Sequence, residues 1–68
     1  MKIKIPQKAL DGIKFVRDSG ETNMFDYHTV QRMAFENKYF ATVDWMADNK
    51  DAYAKGIVSG FEAEEGDV

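Results

Sequence analysis

Hydrophobic residues recur at helical spacing through most of the chain, and the breaks between them divide it into four short segments. The first begins at Pro6, which suits the first turn of a helix, and stops at Gly20, a typical C-terminal signal. The apolar stripes are Ala9, Leu10, Ile13 and Val16, then Val30, Met33 and Ala34, then Tyr39, Phe40, Val43, Met46 and Ala47, and finally Tyr53, Ala54, Ile57 and Val58. The sequence therefore predicts an all-α fold, a compact bundle of three to four short helices over residues 6–60.

The two ends of the chain do not follow this helical pattern. Residues 1–5 alternate lysine and isoleucine, which is typical of a strand, but no second alternating run is present to pair with them. We expect an extended arm, with addition to the sheet of a partner as the alternative. Residues 61–68 are rich in acidic side chains and have nothing to bury, so we expect an acidic tail.

The start of the second helix carries a specific local signal. Asp26 is a strong N-cap candidate, and Thr29 occupies the position whose backbone N–H such a cap binds. Phe25 and Val30 have the spacing of a hydrophobic staple. We expect Met24 and Phe25 to plug the base of the bundle, and we expect the fold to be destabilised when Phe25 or Asp26 is replaced by alanine.

The same stretch carries a family resemblance. It runs from Arg17 to Asp26 with the distinctive order Thr-Asn-Met-Phe-Asp, and is followed by Val30-Gln31-Arg32 and then by Phe40-Ala41-Thr42-Val43. From about residue 9 to residue 60 the chain resembles a family of very small phage and prophage proteins, a domain of unknown function. The resemblance implies a phage origin and no mechanism. Members of that family often have glycine at the position of Lys38, next to Asn37, which we expect to end the second helix.

The amino-acid composition excludes several classes of functional site. A chain of 68 residues has room for one core, and without cysteine it cannot form a disulfide scaffold, a thiol nucleophile or a classical zinc module. His28 is the single histidine, and the glycines are isolated rather than grouped into a phosphate-binding loop. We therefore expect no catalytic residues, no cofactor and no metal, and hence no enzyme. No apolar run reaches membrane-spanning length, so we expect a cytoplasmic protein that does not enter the membrane.

Three large aromatic residues fall away from the predicted apolar stripes. At about 100° per residue, Phe15, Phe35 and Trp45 each point away from the stripe of their own helix. They are core residues if the helices are packed from two sides. They are protein-binding residues if they form an exposed patch for a partner or for a second copy of the chain.

Charge divides the chain into two parts. Residues 1–17 carry a net charge of +4 and residues 18–68 a net charge of −7. The tight turn between residues 27–37 and 39–48 suggests a helix-turn-helix, but Asp44 and Asp48 on the exposed side of the second of these helices would repel phosphate. These carboxylates belong either to a solvated surface or to a protein-binding surface that imitates nucleic-acid phosphates. Nucleic-acid contact through Lys4, Lys8 and Lys14 is the alternative.

Together these observations favour a small phage-type accessory protein that acts by stoichiometric protein–protein binding, with inhibition of a host or anti-phage defence enzyme as one form of that action. The candidate protein-binding residues are Phe15, Phe35, Trp45, Asp44 and Asp48. The alternatives are a small nucleic-acid-associated regulatory protein and a component of the virion or of its assembly.

Overall fold

The computed structural model describes residues 1–64. In this range the chain forms four helices, α1 (Gln7–Ser19), α2 (Tyr27–Glu36), α3 (Phe40–Asp48) and α4 (Lys50–Ser59), flanked by the short strands β1 (Ile3–Ile5) and β2 (Phe61–Ala63). The core lies where α1 packs on α2 and α3, with α4 and the strands closing the remaining sides. The predicted helical bundle is confirmed, and a small sheet is added to it.

The two strands pair in parallel, with Ile3 opposite Phe61 and Ile5 opposite Ala63. Ile5 is fully buried, and Phe61 and Ala63 pack against the core. The predictions of an extended arm and of a tail with nothing to bury are therefore wrong for residues 3–5 and 61–63. A parallel pair needs a long crossover, which here is the whole helical domain, so neighbouring residues gave no sign of it. Residues 65–68 of the predicted tail lie outside the described residues.

Helices α1 and α3 approach closely at Gly12. A Cβ atom at this position would lie only 2.7 Å from the Thr42 Cβ and 2.8 Å from the Tyr39 Cβ. Next to it, the Thr42 hydroxyl donates a hydrogen bond to the Ala9 carbonyl oxygen at 2.7 Å, and Thr42 is fully buried. Gly12 is thus required by the helix crossing, and Thr42 belongs to the core.

The predicted cap of α2 is confirmed. The Asp26 carboxylate accepts hydrogen bonds from the Thr29 hydroxyl at 2.8 Å and from the Thr29 N–H at 3.3 Å. The side-chain bond, followed by the backbone bond, lowers the pKa of the Asp26 carboxyl below its usual value. Met24 packs against the core, whereas Phe25 is 65% exposed. The expectation that Phe25 plugs the base is therefore wrong, because Met24 and the buried ring of Tyr53 fill this end of the bundle.

The predicted apolar stripes of α3 and α4 are correct only in part. Met46 and Tyr53 are buried, but Phe40 is 52% exposed and Val58 is 77% exposed. The contact of Thr42 with α1 turns α3 about its own axis, which moves Phe40 to the solvent side. The residue that faces the core is therefore set by the helix crossing as well as by the hydrophobic spacing.

Candidate protein-binding surface

The turn between α2 and α3 holds the backbone in a Schellman motif. The Tyr39 N–H donates to the Ala34 carbonyl oxygen at 2.8 Å, and the Lys38 N–H donates to the Phe35 carbonyl oxygen at 3.0 Å. Lys38 takes the left-handed conformation with φ 68°, whereas Asn37, the residue expected to end α2, is its C-cap with φ −101°. Glycine is the residue usually found at this left-handed position, so a lysine there is unusual.

This turn brings aromatic rings together on the outside of the bundle. The rings of Phe35 and Phe40 meet edge to face with centroids 5.6 Å apart, and those of Phe15 and Tyr39 lie 5.2 Å apart. Phe35 is 59% exposed and Phe15 is 38% exposed. Tyr39 and Phe40 are consecutive and both line one shallow depression. We call Phe15, Phe35, Tyr39 and Phe40 the aromatic surface.

Two of its four residues were missed by the hydrophobic spacing, which assigned Tyr39 and Phe40 to the core stripe of α3. Their placement on the surface depends on the left-handed turn at Lys38. A left-handed residue there ends α2 and fixes the direction in which Tyr39 and Phe40 leave the turn. Phe15 and Phe35, by contrast, lie on this surface as the exposed-patch alternative requires.

Trp45 does not belong to the aromatic surface. It is half-buried, packs against the core, and meets the ring of Phe61 edge to face with centroids 6.1 Å apart. For Trp45 the exposed-patch alternative is therefore wrong. Its partner ring comes from β2, a segment that the sequence pattern assigned to a tail.

Asp44 and Asp48 extend this surface along α3. Both are exposed, and their spacing from Phe40 places them on the same side of the helix, one and two turns further on. Ala41 and Ala47, which are also exposed, lie on this side. The outer side of α3 therefore begins with an aromatic ring and ends with two carboxylates.

The three lysines proposed for nucleic-acid contact do not share one face. Lys4 lies opposite Glu62 in the sheet, and Lys8 borders a shallow depression next to Phe40 together with Asp11 and Lys38. Lys14 lies on a different side of α1, at the mouth of another cleft. The basic part of the chain is therefore spread around α1 rather than gathered into one positive surface.

Other chemistry in the described part of the chain is limited. His28 is exposed in the first turn of α2, and its ring meets that of Tyr27 edge to face at 5.3 Å. Among residues 1–64, no three His, Cys, Asp or Glu side chains lie close enough together to hold a metal ion. None of the helices in this range has both the length and the apolar character needed to cross a membrane.

Comparison with known proteins places the chain relative to one family. The model of a family described as a domain of unknown function (DUF5049) matches residues 6–61. No curated protein and no solved structure matches the chain. The matched range contains α1 to α4, and therefore all of the aromatic surface.

Proposed function

The chain belongs to the family described as a domain of unknown function (DUF5049), and we propose that it binds another protein, in fixed stoichiometry, through the aromatic surface. The observation that carries the proposal is the exposed pair Phe35 and Phe40, whose rings touch each other on the outside of the α2–α3 turn. Contiguous exposed aromatic rings of this kind mark contact sites in small proteins.

The free energy of folding supports a role in binding. Full burial of a phenylalanine side chain is worth roughly 1.5–3 kcal/mol, so two half-exposed rings each forgo about 1 kcal/mol. A domain of this size buries only about 60% of its unfolded surface and has little stability to spare. Rings that stabilise the fold so little are well placed to stabilise a complex instead.

The charges around the aromatic surface indicate the chemistry of the partner. Asp44 and Asp48 continue the surface on one side, and Lys8 and Lys38 border it on the other. Protein interfaces commonly place aromatic anchors at the centre and polar residues at the rim. We propose a partner with an apolar patch that has basic residues towards Asp44 and Asp48 and acidic residues towards Lys8 and Lys38.

The biological setting that we propose is a phage accessory protein that acts in the host cytoplasm. The resemblance to small phage and prophage proteins supports this setting. In this role the protein inhibits a host or anti-phage defence enzyme by covering part of it. It performs no catalysis of its own.

The test is capture of partners by cross-linking in host cells, followed by titration calorimetry with the purified partner. Phe35→Ser combined with Phe40→Ser is the test variant, and Val58→Ser is the matched control, since Val58 is an exposed apolar residue on α4. We expect one partner to bind the wild-type chain and the control equally at one-to-one stoichiometry. The double variant should bind it at least tenfold more weakly, as the loss of an interface anchor predicts.

Two results would count against the proposal. One is capture of the same partner by the double variant with unchanged affinity. The other is sedimentation of the wild-type chain as a dimer that the double variant abolishes, because the aromatic surface would then be covered by a second copy.

The nucleic-acid alternative is supported by charge alone and can be tested separately. Binding through Lys4, Lys8 and Lys14 would weaken steeply as salt is raised and would be lost when all three are replaced by glutamine. Our proposal predicts no DNA or RNA binding even at low salt. A virion component would instead be found in purified particles by mass spectrometry.

A further inference from the structure

A shallow depression lies beside the aromatic surface, between the first half of α1 and the start of α3. Its walls come from α1 and from the turn before α3: Lys8, Asp11, Lys38, Tyr39, Phe40 and Ala41. Its volume is about 300 Å³, at the lower limit of the range of about 300–1,000 Å³ that small-molecule sites occupy. A shallow hollow of this size is suited to side chains of a bound protein segment, which anchor an interface by filling such pockets.

The charge of this depression is positive on balance. Lys8 and Lys38 are exposed, and among residues 1–64 neither side chain forms an ion pair. Asp11 is the one carboxylate of the lining, and its Oδ1 atom accepts a hydrogen bond from the Gln7 Nε2 group at 2.7 Å. Two ammonium groups beside one engaged carboxylate favour an anionic group in the depression.

Lys38 reaches this position through a strained backbone. Its φ of 68° is left-handed, a conformation that glycine adopts freely and that a residue with a Cβ atom adopts at a cost. Residues held in such conformations are concentrated at functional sites. Lysine adds two properties that glycine lacks, an ammonium group at the depression and a positive charge near the carboxyl end of α2. An experiment that measures binding and stability together separates these two roles.

The remaining part of the lining is apolar and accessible. Phe40 is 52% exposed, and Ala41 is exposed next to it. Phe40 also touches Phe35 on the aromatic surface, so the depression and the aromatic surface are continuous. A segment that covers the Phe35 and Phe40 rings therefore reaches the two lysines as well.

We propose that the depression binds an acidic segment of the partner protein, in which a carboxylate side chain is adjacent to an apolar one. The carboxylate meets the ammonium groups of Lys8 and Lys38, and the apolar side chain lies against Phe40 and Ala41. Lys38 thereby selects an acidic segment over a neutral one. This inference rests on the proposed protein-binding function and adds the chemistry of the segment that is recognised.

The experiment is a titration of the full chain with short blocked peptides, followed through the amide NMR signals of Lys38, Tyr39 and Ala41. The test peptide alternates glutamate and leucine. Two matched peptides have glutamine or lysine in place of glutamate. We expect saturable binding of the glutamate peptide, binding of the glutamine peptide that is at least fivefold weaker through loss of the ion pairs, and no saturable binding of the lysine peptide at these residues.

Lys38→Gly is the variant that separates the two roles of this lysine. It should raise the melting temperature, because glycine removes the strain, and should weaken binding of the glutamate peptide at least twofold. Lys8→Gln combined with Lys38→Gly should weaken that binding at least fivefold. Lys2→Gln combined with Lys55→Gln removes the same charge from exposed positions outside the depression and should leave the affinity unchanged.

The proposal is overturned if the glutamate peptide does not saturate the signals, or if the glutamine peptide binds as tightly. It is also overturned if the control pair weakens binding as much as the loss of Lys8 and Lys38, because net charge would then explain the affinity. A Lys38→Gly variant that is more stable and binds the glutamate peptide like the wild-type chain overturns it too. These outcomes leave the proposed function intact, since that is tested with the captured partner and with Phe35→Ser combined with Phe40→Ser.

Discussion

The two sides of the α2–α3 helix pair are built from different kinds of residues. On the inner side Val30, Ala34, Thr42 and Met46 are completely buried. On the outer side large aromatic rings are more than half exposed, those of Phe35 and Phe40. A small domain has few large rings, and this helix pair leaves two of them outside the core. The comparison indicates that the inner side maintains the fold and the outer side is available for contact.

The reason for the difference lies at the crossing of α1 and α3. Gly12 and Thr42 bring the two backbones so close that a large side chain has no room between them. The aromatic rings of the turn are therefore placed on the solvent side. The following predictions test this division, from the largest expected effect to the smallest.

The largest effect is expected for Gly12→Ala on the inner side. The new methyl group would overlap Thr42 and Tyr39, and overpacking of this kind costs about 1–3 kcal/mol of unfolding free energy. Urea denaturation measures it, with Lys8→Ala as a control at an exposed position of the same helix. If glycine were not required at this position, alanine would stabilise the helix by about 1 kcal/mol. The sign of the change in unfolding free energy therefore distinguishes the two cases.

A smaller effect is expected for Tyr53→Phe. The Tyr53 hydroxyl donates to the Met24 carbonyl oxygen at 2.6 Å, and a hydrogen bond of this type is worth about 1 kcal/mol. Tyr39→Phe is the control, since no hydrogen bond of the Tyr39 hydroxyl is found within residues 1–64. Equal stability of the two variants at neutral pH would contradict this role of Tyr53.

The same residue predicts a dependence on alkaline pH. Burial, with a smaller contribution from the Asp26 charge, raises the pKa of Tyr53 to about 12 from its usual value of 10.0. A raised pKa in the folded state means that the contribution to stability is complete below pH 10 and is lost as the pH rises towards 12. We expect the wild-type chain to lose more stability than Tyr53→Phe over this range, and parallel losses would argue against it.

Lys38→Gly tests the turn between α2 and α3. We expect it to stabilise the protein, whereas the substitutions above destabilise it. A side chain in the left-handed conformation costs roughly 1–2 kcal/mol, and the greater flexibility of unfolded glycine offsets part of the gain. We expect an increase in thermal stability equivalent to about 0.5–1 kcal/mol. Asn37→Gly, where φ is negative and the side chain binds the Met33 carbonyl oxygen, should instead lower it.

The smallest effect on stability is expected for the outer rings. Phe35→Ser and Phe40→Ser should each lower the unfolding free energy by less than about 1 kcal/mol, because each ring is already more than half exposed. The two substitutions combined should weaken partner binding at least tenfold. Strong destabilisation by either one would show that the two sides are not divided as we describe.

The structural features that depend only on neighbouring residues could be predicted from the sequence. The C-terminal stop at Gly20 and the cap at Asp26 were predicted and are present, since each depends on hydrogen bonds within about four residues. Periodicity also predicted three to four helices and placed Phe15 and Phe35 away from the stripes of their helices, but it left core and surface open as alternatives for these rings.

Only the tertiary structure decided which residues face one another across the chain. The pairing of β1 with β2, the burial of Thr42 and the contact of Trp45 with Phe61 each join segments that are far apart in the sequence. Periodicity gives the direction of a side chain relative to its own helix, but the rotation of that helix in the bundle is set by its closest neighbour. Here that neighbour is α1 at Gly12, and this one crossing places Thr42 in the core and Phe40 on the surface.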